Sequence, residues 1–365
     1  MSLSKLIAAE TTSNSQRYKK LDMRGNIAIP EIPMGEELWL MVAVTSVREK
    51  RTQQGNRFVD AVGRNATGSL ALKVWSETLE QWGDFKPGLW GLTGRLESYQ
   101  DRSQFLVTEY RLITLEKYRE HQSVDPVLPV AYTMDIETVA LPDFRERVGP
   151  QLEKSMKLGK MRLEQQQRYL EDILIEEERC YQLGALSATS GRILSIAVHS
   201  GPIAGIDFGG LEQEQCERVF GISASGDEED EKKSLRAFLD LMKDFDPETD
   251  ELVGHNILGF DLPFIFQRCL VNAIPVKPFV DLSEFRVRGV FDTMHHWWLG
   301  ARRNVSLDDV AWTLGIESSK TATAEGSKVF ERYQAGKLAA IREYNLNDVR
   351  VTRKVYERMI ACFGR

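Results

Sequence analysis

The sequence predicts two domains of different class, an all-β barrel followed by an α/β domain with a central sheet. Three observations carry this. The chain has 365 residues, more than one ordinary core accommodates. From Leu38 to about Ile113, strand-like segments are separated by turn residues, with one short helix among them. From about residue 129 the texture changes to strands alternating with helices, the pattern of a layered α/β structure.

Composition narrows the class. No apolar run reaches about 18 residues, so no transmembrane helix and no membrane partner are expected. The N-terminal stretch MSLSKLIAAETTSNSQRYKK lacks the apolar core of a secretory signal. Cys180, Cys216, Cys269 and Cys362 are scattered without a CxxC pair, which favours a reducing, cytoplasmic setting over a zinc or disulfide framework. The net charge is −7 and is unevenly spread. Residues 1–125 hold 17 Lys and Arg against 16 Asp and Glu, and the remainder holds 30 against 38. An acidic C-terminal part suits carboxylates that recruit cations, and suits non-specific duplex binding less well.

Residues 1–36 are polar and irregular, closed by Pro30 and Pro33, and read as a tail or strap. Then ELWLMVAVTSV, RFVDAVG and SLALKVW read as strands, SETLEQWGDF as a short helix, and GLWGLTGRLESYQ and SQFLVTEYRLI as two more strands. Three strands, a helix and two strands within residues 37–116 is the order of an OB-fold barrel; a generic small barrel or sandwich is the alternative. KYREHQSVDPVLP is polar with two prolines, so residues 117–128 read as a linker. Residues 129–365 form the second domain. AYTMDIET and GRILSIAVHSG read as strands, ELVGHN as a strand running into a turn, and KSLRAFLDLMKDF, the stretch from Asp261, SLDDVAWTLGI and the segment from Lys337 as helices.

Three segments carry chemistry. On the strand around 135, Val130, Tyr132, Met134 and Ile136 share an apolar face, and Thr133, Asp135 and Glu137 share the other. Two carboxylates on one face of a buried strand repel each other and resist desolvation, and a divalent cation removes both problems. A lone DxE is common in any chain and by itself reads first as the solvated polar face of an edge strand. On the last helix Ile341, Tyr344, Asp348, Val351, Val355, Met359 and Cys362 recur at helical spacing, so Asp348 interrupts a stripe that should pack on the sheet. Tyr344 lies one turn earlier on the same face, and an Asp–Arg pair is the plain alternative. The third segment, GHNILGFDLP, delivers Asp261 to a helix start, where it can serve as a ligand or as a first-turn acid.

Together, DIET at 135–138, GHNILGFD at 254–261 and YNLND at 344–348 resemble the three exonuclease motifs of the DnaQ-like (DEDD) superfamily, in its tyrosine subclass. GFDLPFIFQRCLVNAIP, FDTMHHWW and SLDDVAWTLGI are similar to the family related to the exonuclease domain of family B DNA polymerases. The resemblance covers roughly 129–365. A helical insertion of about 45 residues, roughly 143–188, departs from compact members.

The resemblance implies a ribonuclease-H-like fold and 3′→5′ hydrolysis with two divalent ions, Mg²⁺ or Mn²⁺. It makes Asp135 the residue shared by both metals, Glu137 and Asp348 holders of the metal carrying the attacking water, and Asp261 a partner of the second metal through water. Tyr344 would orient that water, because a phenol with a pKa near 10 is a poor base at neutral pH. Thr138 would lie near the terminal 3′-OH, Leu141 would wedge between terminal bases or simply pack, and Asn256 would reach the scissile nucleotide or act as a turn residue. Asp292 reads as a supporting or structural acid. The adjacent His295 and His296 read as a pair pointing apart, and Lys320 and Lys328 as loop residues.

In the barrel, Leu70, Leu72 and Val74 share the core face while Ala71, Lys73 and Trp75 share the other. Lys73 beside Trp75, joined by Phe58, suits backbone attraction plus base stacking; Trp75 closing the barrel end is the alternative. The expected partner is single-stranded nucleic acid, with DNA ahead of RNA on the polymerase-family resemblance alone. An exoribonuclease and a non-catalytic binding subunit remain as rivals.

Overall fold

The computed structural model describes residues 28–99, 102–121, 128–144, 178–206, 213–223, 228–282, 287–299, 304–317 and 328–363, with the isolated residues 146, 175 and 208. It divides into two compact units. The first comprises residues 1–130 with 201–214 and 248–250, and the second the remainder.

In the first unit, β1 (Glu37–Arg51), β2 (Arg57–Asn65), β3 (Gly68–Trp75), β4 (Gly88–Tyr99) and β5 (Arg102–Leu112) close into a barrel in the order β1-β2-β3-β5-β4. The ladders are antiparallel except β3–β5, which is parallel. Strand number, order and closure are those of an OB-fold barrel. β1 is long enough to pair with both β2 and β4, and a register shift between Val44 and Ser46 bends it from one to the other. A second shift falls at Thr93/Gly94, where a Cβ on Gly94 would collide with the Leu106 carbonyl. The short helix α1 (Ser76–Trp82) sits between β3 and β4. Leu38, Leu40, Val42, Leu72, Val74, Leu92, Phe105 and Val107 fill the interior, as the strand alternation predicts. The strap reading applies to residues 28–36: Ile29–Glu31 is a 3₁₀ turn, Ile32 is buried in the barrel core, and Met34 bridges to Leu96. Residues 1–27 lie outside the described part.

One local departure concerns the segment read as linker. Leu115–His121 is helix α2, started by Thr114, whose Oγ1 accepts from the Lys117 N–H at 3.3 Å. Its Tyr118 is fully buried with Trp39, Met41, Leu89 and Phe208, an anchor that a polar composition conceals.

The second unit is a mixed five-stranded sheet in the order β10-β9-β6-β7-β8, flanked by helices in a ribonuclease-H-like arrangement. The strands are β6 (Val130–Ala140), β7 (Gly191–Pro202), β8 (Cys216–Gly221), β9 (Glu251–Gly254) and β10 (Val290–Asp292). β9 runs parallel to β6 and β10, and β8 antiparallel to β7. α3 (Glu228–Leu241) and α4 (Asp261–Val271) bury Leu235, Phe238, Leu262, Ile265 and Cys269 against Met134, Ile136, Ile196 and Leu252. Next come α5 (Thr293–Trp298), α6 (Leu307–Thr313), α7 (Lys328–Gln334) and the long α8 (Leu338–Phe363). α8 packs Ile341 and Tyr344 with Val139, Leu194 and Val329. Lys328, read as a loop residue, is the first residue of α7. The α8 stripe ends earlier than its spacing indicates: Met359 and Ile360 are buried, while the last turn, Ala361, Cys362 and Phe363, is exposed. Most of the 143–188 insertion lies outside the described residues. Its end contributes helical residues 178–183 and a 3₁₀ turn, Gly184–Leu186. Among the described residues no helix is long and apolar enough to cross a membrane.

Candidate active site

Met134 and Ile136 enter the core beneath α3 and α4, so Asp135 and Glu137 project from the opposite face of β6. α8 supplies the third carboxylate. One oxygen each of Asp135, Glu137 and Asp348 lie within 4.8 Å of one another. All three residues are half-buried. Asp261 opens α4 beside them. It is 2% exposed, and its carboxylate accepts the backbone N–H of Ile136 at 3.1 Å.

Crowding of like charges is written into the proton affinities. Burial, then Asp261, Glu137 and Asp348, hold the Asp135 carboxyl well above the usual carboxylate range. Burial, Asp348 and Asp261 do the same to Glu137, opposed by the Arg332 guanidinium. Burial raises Asp261 to about 7 despite its hydrogen bond from Ile136. Burial and like charge make these groups costly to ionise. Hard oxygen donors from three directions, with more negative charge than they can hold alone, fit a Mg²⁺- or Mn²⁺-type ion. Burial and the neighbouring Asp348 and Glu137 push the Tyr344 phenol upward, so its hydroxyl stays protonated at neutral pH.

Three residues here escaped sequence reasoning. Asn345 is fully buried. Its Nδ2 donates to Asp135 Oδ2 at 2.7 Å, and its Oδ1 accepts from Ser195 Oγ of β7 at 2.8 Å. Arg332 of α7 stands 5.5 Å from the Tyr344 ring centroid, close enough for its charge to act on Glu137. A polar residue inside the buried stripe of α8 was the available signal for Asn345; Ser195 and Arg332 had none, because each is distant in sequence or in another element.

The loop before Asp261 is held by Asp292, the N-cap of α5. Its carboxylate accepts from Asn256 and Leu258 N–H, both at 3.1 Å, and from Met294 and His295 N–H. Asn256 adopts φ +61° and its main-chain carbonyl accepts from the Gly259 and Phe260 N–H groups, which makes it part of the turn. The adjacent His255 is held neutral by burial; Nε2 donates to the Val305 carbonyl at 2.8 Å, leaving Nδ1 to face Thr293 Oγ1. His295 stacks on Trp298 and His296 on Phe291. Thr138 is half-buried and its hydroxyl donates to the Ala185 carbonyl at 2.8 Å, which commits the side chain to the scaffold. Leu141 follows β6, half-buried, with its N–H donating to the Ser190 carbonyl. Lys320 lies outside the described residues.

On the barrel, Phe58 and Trp75 pair across β2 and β3 with ring centroids 5.4 Å apart. Lys73 Nζ stands 4.2 Å from the Phe58 centroid, 4.6 Å from that of Trp75 and 5.6 Å from that of Tyr99. Tyr99, which the sequence reading omitted, is 57% exposed. Three rings thus gather around one ammonium.

Residues 198–365 match the family described as a predicted 3′-5′ exonuclease related to the exonuclease domain of PolB. Over that segment the chain is similar to a PolB-related exonuclease domain. That match holds Asp261, Tyr344 and Asp348, while Asp135 and Glu137 precede it. A stretch of 139 residues is 30% identical to the DNA polymerase delta catalytic subunit of Arabidopsis thaliana, covering 37% of this chain and 11% of that protein. The chain thus aligns with about a tenth of its curated relative. Among solved structures, the second OB-fold domain of replication protein A from Methanococcus maripaludis is similar at 16% identity and a TM-score of 0.21, over 24% of this chain and 93% of that one. A replication protein A heterotrimer bound to ssDNA is similar at 19% identity and a TM-score of 0.20, over 23% and 64%.

Proposed function

We propose that this chain is a metal-dependent 3′→5′ exonuclease that hydrolyses phosphodiester bonds at the 3′ end of single-stranded nucleic acid, DNA ahead of RNA, releasing nucleoside 5′-monophosphates. The meeting of Asp135, Glu137 and Asp348 oxygens within 4.8 Å, on a chain with a PolB-related exonuclease match, carries this reading. Two divalent ions, Mg²⁺ or Mn²⁺, held by these carboxylates with Asp261 alongside, would supply an activated water and offset charge on the leaving oxygen. Tyr344, one turn before Asp348, keeps its proton and hydrogen-bonds the Asp348 side chain, so it would help to place the attacking water rather than remove a proton from it. Leu141 at the end of β6 is the candidate wedge at the terminal base. Because the Thr138 hydroxyl is engaged with Ala185, any contact of that residue with the 3′-OH falls to its backbone.

The barrel would hold the strand upstream. Stacking on Phe58 and Trp75 is indifferent to base identity, and Lys73 attracts the phosphates. The preference for DNA rests on the polymerase relationship.

The test is degradation of single-stranded DNA and RNA labelled at either end, with Mg²⁺, Mn²⁺ or EDTA. Mononucleotides should leave from the 3′ end of DNA and EDTA should stop the reaction. Faster loss from RNA would make the chain an exoribonuclease. Intact, metal-loaded protein that binds but never cleaves would make it an accessory subunit.

A further inference from the structure

Asn345 sits between two elements remote in sequence, 150 residues from Ser195 and 210 from Asp135. Ser195 and Asn345 are both fully buried, so neither touches solvent or a substrate. A primary amide has nearly the same shape either way round, but its nitrogen only donates and its oxygen only accepts. Turned over, Asn345 would set its Oδ1 against the Asp135 carboxylate, acceptor against acceptor. The Asp135 carboxylate, which only accepts, opposes that turn by holding Nδ2 on its Oδ2, and the Ser195 hydroxyl anchors the far end of the amide by donating to Oδ1 at 2.8 Å. Ser195 is itself pinned in the β7–β8 ladder opposite Gly221. The donors run in one direction, from Ser195 to Asn345 to Asp135, and the last bond occupies one position on Oδ2.

We infer that Asn345 is a positioning residue that fixes the Asp135 carboxylate for metal binding, with Ser195 anchoring the far end of its amide. This rests on the metal-dependent reading above. The buried donor on Oδ2 fixes the rotation of the Asp135 carboxyl group, an oxygen of which lies within 4.8 Å of oxygens of Glu137 and Asp348. Hydrogen bonds that orient metal-binding carboxylates are commonly worth about 10–100-fold in metal affinity or activity.

The experiment titrates Mn²⁺ by electron paramagnetic resonance against the full chain without nucleic acid, then measures kcat and KM on single-stranded DNA. Variants are Ser195→Ala, Asn345→Ala and both together. Each single change should weaken the first Mn²⁺ about ten-fold and lower kcat while leaving the DNA KM within about two-fold. The double variant should be no weaker than Asn345→Ala alone, because both act through one chain of bonds. Losses that multiply in the double variant would overturn the inference, as would a raised KM at unchanged Mn²⁺ affinity. Should Asn345→Ala not fold, Ser195→Ala decides, and wild-type Mn²⁺ affinity there refutes the role. Wild-type protein that binds no Mn²⁺ would sink the metal-dependent reading itself, whereas normal wild-type binding with unaffected variants sinks only the positioning role.

Discussion

The carboxylate of Asp261 accepts the backbone N–H of Ile136 at 3.1 Å, so the start of helix α4 is tied to the strand between Asp135 and Glu137. The same side chain is a structural acceptor and a source of the charge that raises Asp135 and Glu137.

These two roles separate by substitution. Asp261→Asn keeps an acceptor for Ile136 and removes a buried charge, so the metal-free protein should melt higher at pH 8 while hydrolysis falls. Asp261→Ala leaves a buried N–H unsatisfied and should cost about 1–3 kcal/mol of stability. Thermal melts in EDTA check both, and a stabilised Ala variant would remove the structural role of this bond.

Stability without metal should depend on pH in a defined direction. The folded state raises Asp261 from its ordinary 3.8 to about 7 and raises Asp135 and Glu137 as well. Between those values the folded protein binds more protons than the unfolded chain, so stability is greatest below about 4 and declines as pH rises through about 7. Other carboxylates titrate too, so the diagnostic quantity is the difference between wild type and Asp261→Asn in EDTA. Saturating Mn²⁺ at pH 8 should restore about 2.7 kcal/mol at a hundred times the dissociation constant. A difference independent of pH would contradict the crowded-carboxylate account.

Asp135→Ala should abolish hydrolysis while single-strand binding survives, since it removes a carboxylate shared by the whole cluster and leaves the barrel untouched. Quench-flow turnover paired with fluorescence anisotropy makes the comparison. Near-normal turnover would remove the two-metal assignment.

Trp75→Ala should weaken binding of long single strands by about 1–3 kcal/mol, and Lys73→Ala should reduce the salt slope by about one counterion. Turnover of very short oligonucleotides should change little in either. Point substitutions are the cleaner test, because Phe208 packs in one core with Trp39 and Tyr118, and removal of residues 1–116 would open it. Unchanged affinity at fixed salt in Trp75→Ala would assign the cluster to protein docking.

Local pattern was enough for much of this molecule. Period-two alternation in SLALKVW and helical spacing from Ile341 to Met359 report which faces are buried, because burial of a regular element imposes its own repeat on the sequence. Asp135, Glu137 and Asp348 stood out as acids where that repeat calls for apolar residues or leaves charge crowded. Strands β8 and β10 were missed. β8 is a half-exposed edge, and the three residues of β10 are too few to display a period; both exist through their ladder partners. The buried Tyr118 in a polar segment, the Ser195–Asn345–Asp135 chain and the Asp261–Ile136 bond were decided by tertiary structure alone. Each joins groups distant along the chain, 125 residues apart for Ile136 and Asp261, and a hydrogen bond between them leaves no periodic trace in either segment.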